Sequence, residues 1–142
     1  MKLGRLNHVG VATPNIDAAI AFWREVMGAT VVTEPFDMPE QGVRVCFVDT
    51  PHLGTQIELL APLAQGSPIA AFLQRNPLGG QHHLAFEVPD IHQAHQEFTA
   101  AGKRILGPIR IGAHGTPVFF VHPKDMAGVL TEIMEASGAV HP

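Results

Sequence analysis

Residues 81–107 read QHHLAFEVPDIHQAHQEFTAAGKRILG, and residues 6–32 read LNHVGVATPNIDAAIAFWREVMGATVV. Laid over one another at an offset of 75, they place His83 on His8, Pro89 on Pro14, Ile91 on Ile16 and Ala94 on Ala19. Each stretch opens with apolar residues at every second position, the signature of a strand half-buried on a sheet. Each then turns at Pro-Asn or Pro-Asp, where Asn15 and Asp90 offer the short acceptor that caps the first turn of a helix. The helix closes near Gly28 in one copy and Gly102 in the other, where a residue tolerant of positive φ is wanted. In the first helix Ile20, Trp23 and Met27 recur at helical spacing and predict an apolar stripe against a sheet.

The copies continue to correspond. Residues 43–62, VRVCFVDTPHLGTQIELLAP, run strand, turn, strand, as do residues 116–135, TPVFFVHPKDMAGVLTEIME. Phe47 precedes Glu58 by 11 residues and Phe120 precedes Glu132 by 12, so both glutamates fall at nearly the same place in the repeat. The predicted fold class is α+β, built of two βαβββ modules at about 1–63 and 79–136. A linker over 64–78 carries a short helix in GSPIAAFLQRN, with Ser67 as its cap and Pro68 at its first position. Two half-sheets that complete one core predict a single domain over 1–142. The last residues, SGAVHP, read as a loose tail.

Composition bounds what the chain does. The 142 residues suffice for one ordinary core, and 46% hydrophobic with 15% charged residues is a globular balance. A net charge of -4 argues against nucleic acid as a partner, since such proteins carry a basic footprint. No apolar window reaches membrane-spanning length, and MKLGRLNHVGVA enters strand pattern without a signal core. The single cysteine, Cys46, excludes an internal disulfide framework and fits a reducing cytosol, so a cytoplasmic protein is expected.

His82 and His83 are adjacent on a strand and point to opposite faces. The repeat selects His83 as the partner of His8. His82 shares its parity with Leu84, Phe86 and Val88, which are expected under the helix. His83 shares a face with Ala85 and His8 with Gly10, small neighbours that leave space for a ligand. Glu58 in QIELL and Glu132 in VLTEIM are carboxylates inside apolar strands, expensive to bury without a partner. One alone reads rather as an exposed-face residue. Two at matched positions, with two matched histidines, read as a site for a divalent ion such as Co, Ni, Mn, Fe or Zn, with coordination positions left open.

A paired βαβββ chain with His8, Glu58, His83 and Glu132 resembles the vicinal oxygen chelate superfamily. Members with this ligand pattern include glyoxalase I and the methylmalonyl-CoA epimerases. The segments LNHVGVATPNIDAAIAFW, PEQGVRVCFV, IELLAPL, SPIAAFLQRN, GGQHHLAFEVPDI and IGAHGTPVFFVHPKDMAGVLTEI resemble the epimerase family nearly end to end, over about residues 5 to 134. The resemblance implies an open, partly closed sheet around the metal, an acyl-CoA substrate and a homodimer. It implies interconversion of (2R)- and (2S)-methylmalonyl-CoA through an enolate stabilised by the divalent ion. Glu132 is then the first candidate for the base. Some epimerases carry a further glutamate where this chain has Val45, so the opposite face falls to Glu40 in PEQG, or to a water it holds. The IGAHG loop is expected to close over the site, with His114 as a polar contact. Arg44 and Lys124 are expected at the CoA phosphates, with Lys103, Arg104 and Arg110 as further options. Two alternatives stay open: an isomerase of the glyoxalase I type, acting on the hemithioacetal of methylglyoxal and a thiol, and a non-catalytic small-molecule-binding protein on the same fold.

Overall fold

The alternation in each copy of the repeat is realised as strands that bury one face under a helix. The computed structural model describes residues 2–50, 52, 54–64 and 66–136; the SGAVHP segment lies outside them. The chain forms two compact units: one is His8–His82, and the other consists of the residues before His8 and those from His83 onward.

In the first unit the strands follow the order β2 (Val31–Val32), β4 (Val43–Asp49), β5 (Gln56–Pro62), β1 (Leu6–Ala12, entering the unit at His8), with β3 (Phe36–Met38) also paired to β4. β1 and β5 are parallel; the other pairings are antiparallel. Helix α1 (Ile16–Glu25) is capped by Asn15, whose side chain accepts from the Ala18 amide at 3.0 Å. It buries Ile16 and Ile20 against Cys46, Val48, Leu59 and Ala61. Each aliphatic side chain so buried is worth about 1.5–3 kcal/mol. The predicted stripe holds for Ile20 and Trp23 but not for Met27, which is 51% exposed. The helix ends at Glu25, so Met27 lies beyond its last regular turn, with its amide reaching back five residues to the Phe22 carbonyl at 3.2 Å, and Gly28 at φ 70 then reverses the chain.

A second difference lies in the strand after α1, which is two short pieces, β2 and β3. Thr33 still pairs with Phe47, through N–H to carbonyl at 3.0 Å and by accepting the Phe47 amide on Oγ1 at 2.9 Å. Pro35 has no amide to donate, so the ladder lapses there. The linker helix α2 (Pro68–Arg75) forms as predicted, with Ser67 Oγ accepting from the Ala70 amide, and packs on β5. The turn after it depends on Gly79: at φ 86, a Cβ would stand 2.3 Å from the Ala12 carbonyl oxygen.

In the second unit the order is β6 (Gly80–Val88, entering at His83), β9 (Thr131–Glu135), β8 (Pro117–Val121), β7 (Ile105–Ile111). β6 and β9 are parallel, the rest antiparallel. Helix α3 (Ile91–Ala100), capped by Asp90 on the His92 and Gln93 amides, buries Ile91, Ala94 and Phe98 against Val88, Phe119, Val121 and Ile133. The residues before His8 belong here, because Gly4 and Arg5 bond the Glu87 backbone at 2.7 and 3.0 Å. The β7–β8 pairing is irregular. Leu106 faces Phe120 and Arg110 faces Val118, so four residues of β7 span two of β8 in a bulge.

Candidate active site

In the first unit β5 is central, flanked by β4 and β1, and its register sets Phe47, Glu58 and Gly10 in one row across three strands. His8 lies two residues before Gly10 on the same face. The opposite parity, Cys46, Val48, Leu59 and Ala61, lies under α1, so this face is the one turned away from the helix. His8 is fully buried and Glu58 is 4% exposed. The His8 Nε2 to Glu58 Oε2 distance is 3.4 Å.

The second unit repeats the arrangement. Phe120, Glu132 and Ala85 form the row, and His83 lies two residues before Ala85. His83 and Glu132 are 4% and 7% exposed, with His83 Nε2 to Glu132 Oε1 at 3.5 Å. The His83 ring meets Phe120 edge to face, centroids 5.3 Å apart. Ala85 is itself fully buried, with Val118 and Met134 beside it, so that flank of His83 is packed rather than open.

Both spacings are long for a charge-assisted hydrogen bond, about 2.7–2.9 Å. They suit two ligands of one ion: donor atoms about 2.1 Å from a metal, at angles of about 90–110°, lie about 3.0–3.4 Å apart. Imidazole nitrogen with carboxylate oxygen is also a donor set that first-row divalent ions accept. The residues of each unit therefore fit the implied group.

Of the remaining predicted residues, Glu40, Arg44, Lys124, Lys103 and Arg104 are placed less favourably. Glu40 stands exposed in the turn between β3 and β4, where Gln41 and Gly42 bond back to Met38 and Pro39. Val43 at the end of that turn faces Pro62, four strand positions from Glu58, so the structure does not bring Glu40 beside Glu58. Arg44 shares the parity of Cys46 and Val48, opposite to that of Glu58, and donates to Asp37 at 2.7 Å. That hydrogen bond holds the Asp37 carboxyl below its ordinary value and raises the guanidinium. Lys124 is exposed in a 3-10 turn, Pro123–Asp125, its amide donating to His122 Nδ1. His114 is half-buried in the turn joining β7 to β8, closed by Gly112 and Thr116 at 2.9 Å. Lys103 is exposed, and Arg104 is committed to Asp125 at 2.9 Å. Val45 is fully buried opposite Leu60, on the Glu58 face.

Three residues on these faces were landmarks or options in the sequence without a place in the site: Phe47 and Phe120, which flank the glutamates, and Arg110. The matched Phe-to-Glu spacing was the available signal for the phenylalanines. The bulge that places Arg110 had only Gly107-Pro108 inside an apolar run to announce it.

The family model described as the glyoxalase/bleomycin resistance protein/dioxygenase superfamily matches residues 7–120. The ethylmalonyl-CoA/methylmalonyl-CoA epimerase of Cereibacter sphaeroides is 51% identical over 133 residues, 92% of this chain and 97% of that protein. The human mitochondrial methylmalonyl-CoA epimerase is 47% identical over 95% of this chain and 76% of that protein. A solved methylmalonyl-CoA epimerase in complex with methylmalonyl-CoA and NH4+ superposes with a TM-score of 0.86 at 33% identity, over 99% of this chain and 100% of that one. The chain belongs to the methylmalonyl-CoA epimerase family, within the glyoxalase/bleomycin resistance protein/dioxygenase superfamily.

Proposed function

We propose that this protein is an isomerase that interconverts (2R)- and (2S)-methylmalonyl-CoA, with His8, Glu58, His83 and Glu132 as ligands of one divalent ion. The observation that carries the proposal is the recurrence of one buried His–Glu pair at the same register position in both units, at 3.4 and 3.5 Å. Family membership and the solved complex of a relative with methylmalonyl-CoA support the substrate.

The carbon to be inverted lies between a thioester carbonyl and a carboxylate. Breaking its C–H bond sends the proton to a base and the electron pair into the thioester. When bound, a divalent ion supplies Lewis-acid stabilisation of that developing charge. Glu132 is the base in this proposal. Its backbone is paired to Ala85 and Phe120 on neighbouring strands and the residue is buried, so little reorganisation is needed to accept a proton at Oε. His83, held edge-on to Phe120, keeps that carboxylate oriented from one side. With Glu40 in an exposed turn and Val45 apolar, the opposite face takes its proton from solvent. The assembly that accompanies this proposal is a homodimer, checked by light scattering.

The deciding experiment is solvent deuterium exchange at C2 of methylmalonyl-CoA, read by mass spectrometry with and without a chelator. Exchange that disappears on chelation and returns with added divalent metal is the expected outcome. No exchange with metal demonstrably bound overturns the proposal. The hemithioacetal of methylglyoxal and glutathione is the control substrate, expected to be left unchanged.

A further inference from the structure

Of the six arginines, Arg110 alone is not exposed. Arg5, Arg44 and Arg104 each meet a carboxylate, of Glu87, Asp37 and Asp125, at 2.7–2.9 Å. Among the described residues no carboxylate pairs with Arg110; its guanidinium carbon instead lies 5.3 Å over the centroid of Phe120. The β7 bulge puts it there. A regular ladder continued from the Leu106–Phe120 pair would set Pro108 opposite Val118 and carry Arg110 two residues, about 7 Å, further along the strand. Gly107 takes the positive φ of 77 that the bulge requires, and the arginine Nη1 passes 3.3 Å from where a Cβ would stand. The bulge and the arginine conformation are thus built for each other.

Arg110 faces Val118, whose parity is that of Phe120, and Phe120 is the direct cross-strand neighbour of Glu132. Directly opposed Cβ atoms lie about 4.5–5.5 Å apart, so the guanidinium stands on the order of 10 Å from the Glu132 carboxylate, on the same face. That is the reach of a small acyl group. Stacking on an aromatic face offsets part of the cost of withdrawing a guanidinium from water, and leaves its fork of N–H donors unmatched.

We infer that Arg110 determines specificity for the free carboxylate of the acyl group, accepting it in a bidentate pair beside the Phe120–Glu132 row. The inference rests on the acyl-CoA reading above. The oxyanions of the CoA phosphates are the other source of the same chemistry, but they lie at the far end of the pantetheine arm from the carbon that Glu132 would deprotonate. A 2-carboxyacyl thioester is then distinguished from a plain acyl thioester by a carboxylate whose two oxygens match the planar fork of Arg110.

Titration calorimetry of the metal-loaded protein with malonyl-CoA and with propionyl-CoA tests this. Arg110→Gln is expected to weaken malonyl-CoA at least tenfold and leave propionyl-CoA within twofold. An equal loss for both esters assigns the guanidinium to the CoA phosphates and overturns the inference. Unchanged affinity for both reduces Arg110 to packing on Phe120 and also overturns it. If Arg110→Gln does not fold, Arg110→Lys, which keeps the charge but not the planar fork, is expected to lose malonyl-CoA affinity selectively by a few-fold, and an unselective loss overturns the inference. Wild-type exchange at C2 of methylmalonyl-CoA separates the two levels: exchange with no selective effect at Arg110 sinks only this inference, and its absence sinks the functional proposal as well.

Discussion

At the scale of single residues, Glu132 of the site and Glu40 of the turn make opposite predictions. Glu132→Gln keeps the shape of the buried side chain and removes its proton affinity, so C2 exchange should fall by about 10²–10⁴-fold, as for loss of a positioned base. Glu40→Gln changes an exposed turn residue and should leave exchange within about twofold. A large loss at Glu40 would require the turn to act on the substrate after all. Away from the site, the Arg104 guanidinium and amide hold the Asp125 carboxyl down to about 2. A folded value below the unfolded one, about 3.9, means that this pair stabilises the protein above about pH 4 and ceases to as pH falls toward 2. Asp125→Asn should therefore flatten the acid limb of a stability–pH curve between those values. The histidines and glutamates were legible in the sequence because a repeat doubles every signal: a lone Glu in an apolar strand is ambiguous, and a matched pair is not. Arg110 was one option among several cations because its place depends on two extra residues in a strand, which no alternation pattern reveals.

At the scale of elements, the helices were the most legible parts. Asn15, Ser67 and Asp90 cap where the sequence says they should, because capping needs only a local acceptor and a few amides. Asp90→Ala removes acceptors from two amides and should cost about 1 kcal/mol, read as a Tm lower by several degrees. The strands were less legible where they depart from the ideal. Pro35 divides the strand after α1, and Met27 escapes the helical stripe because α1 has already ended at Glu25. Gly79 carries the sharpest steric demand in the first unit. Gly79→Ala puts a Cβ at 2.3 Å from the Ala12 carbonyl as well as forcing a positive φ, and should destabilise by more than the loss of the Asp90 cap, at least about 2 kcal/mol by chemical denaturation.

At the scale of the whole molecule, duplication was visible in the chain while the boundary between its halves was not. The sequence divides the modules at 63 and 79, whereas the structure assigns α2 to the first unit and the residues before His8 to the second. The residues before His8 are drawn there by the Gly4 and Arg5 backbone bonds to Glu87 and by the Arg5–Glu87 ion pair, long-range contacts that a repeat does not reveal, while α2 packs on β5 of the first unit. Cys46 carries a consequence for time rather than for geometry. It is the chain's sole thiol, fully buried in the first unit, its S–H donating to the Thr33 carbonyl at 3.2 Å, and burial pushes its pKa up. A thiol reagent can reach it only when that unit opens, and the second unit holds no sulfhydryl to confuse the count. The protein thus contains its own stopwatch for one half: the labelling half-life in native buffer should be long and independent of reagent concentration once reagent outpaces reclosing, so that each modified molecule records a single opening event.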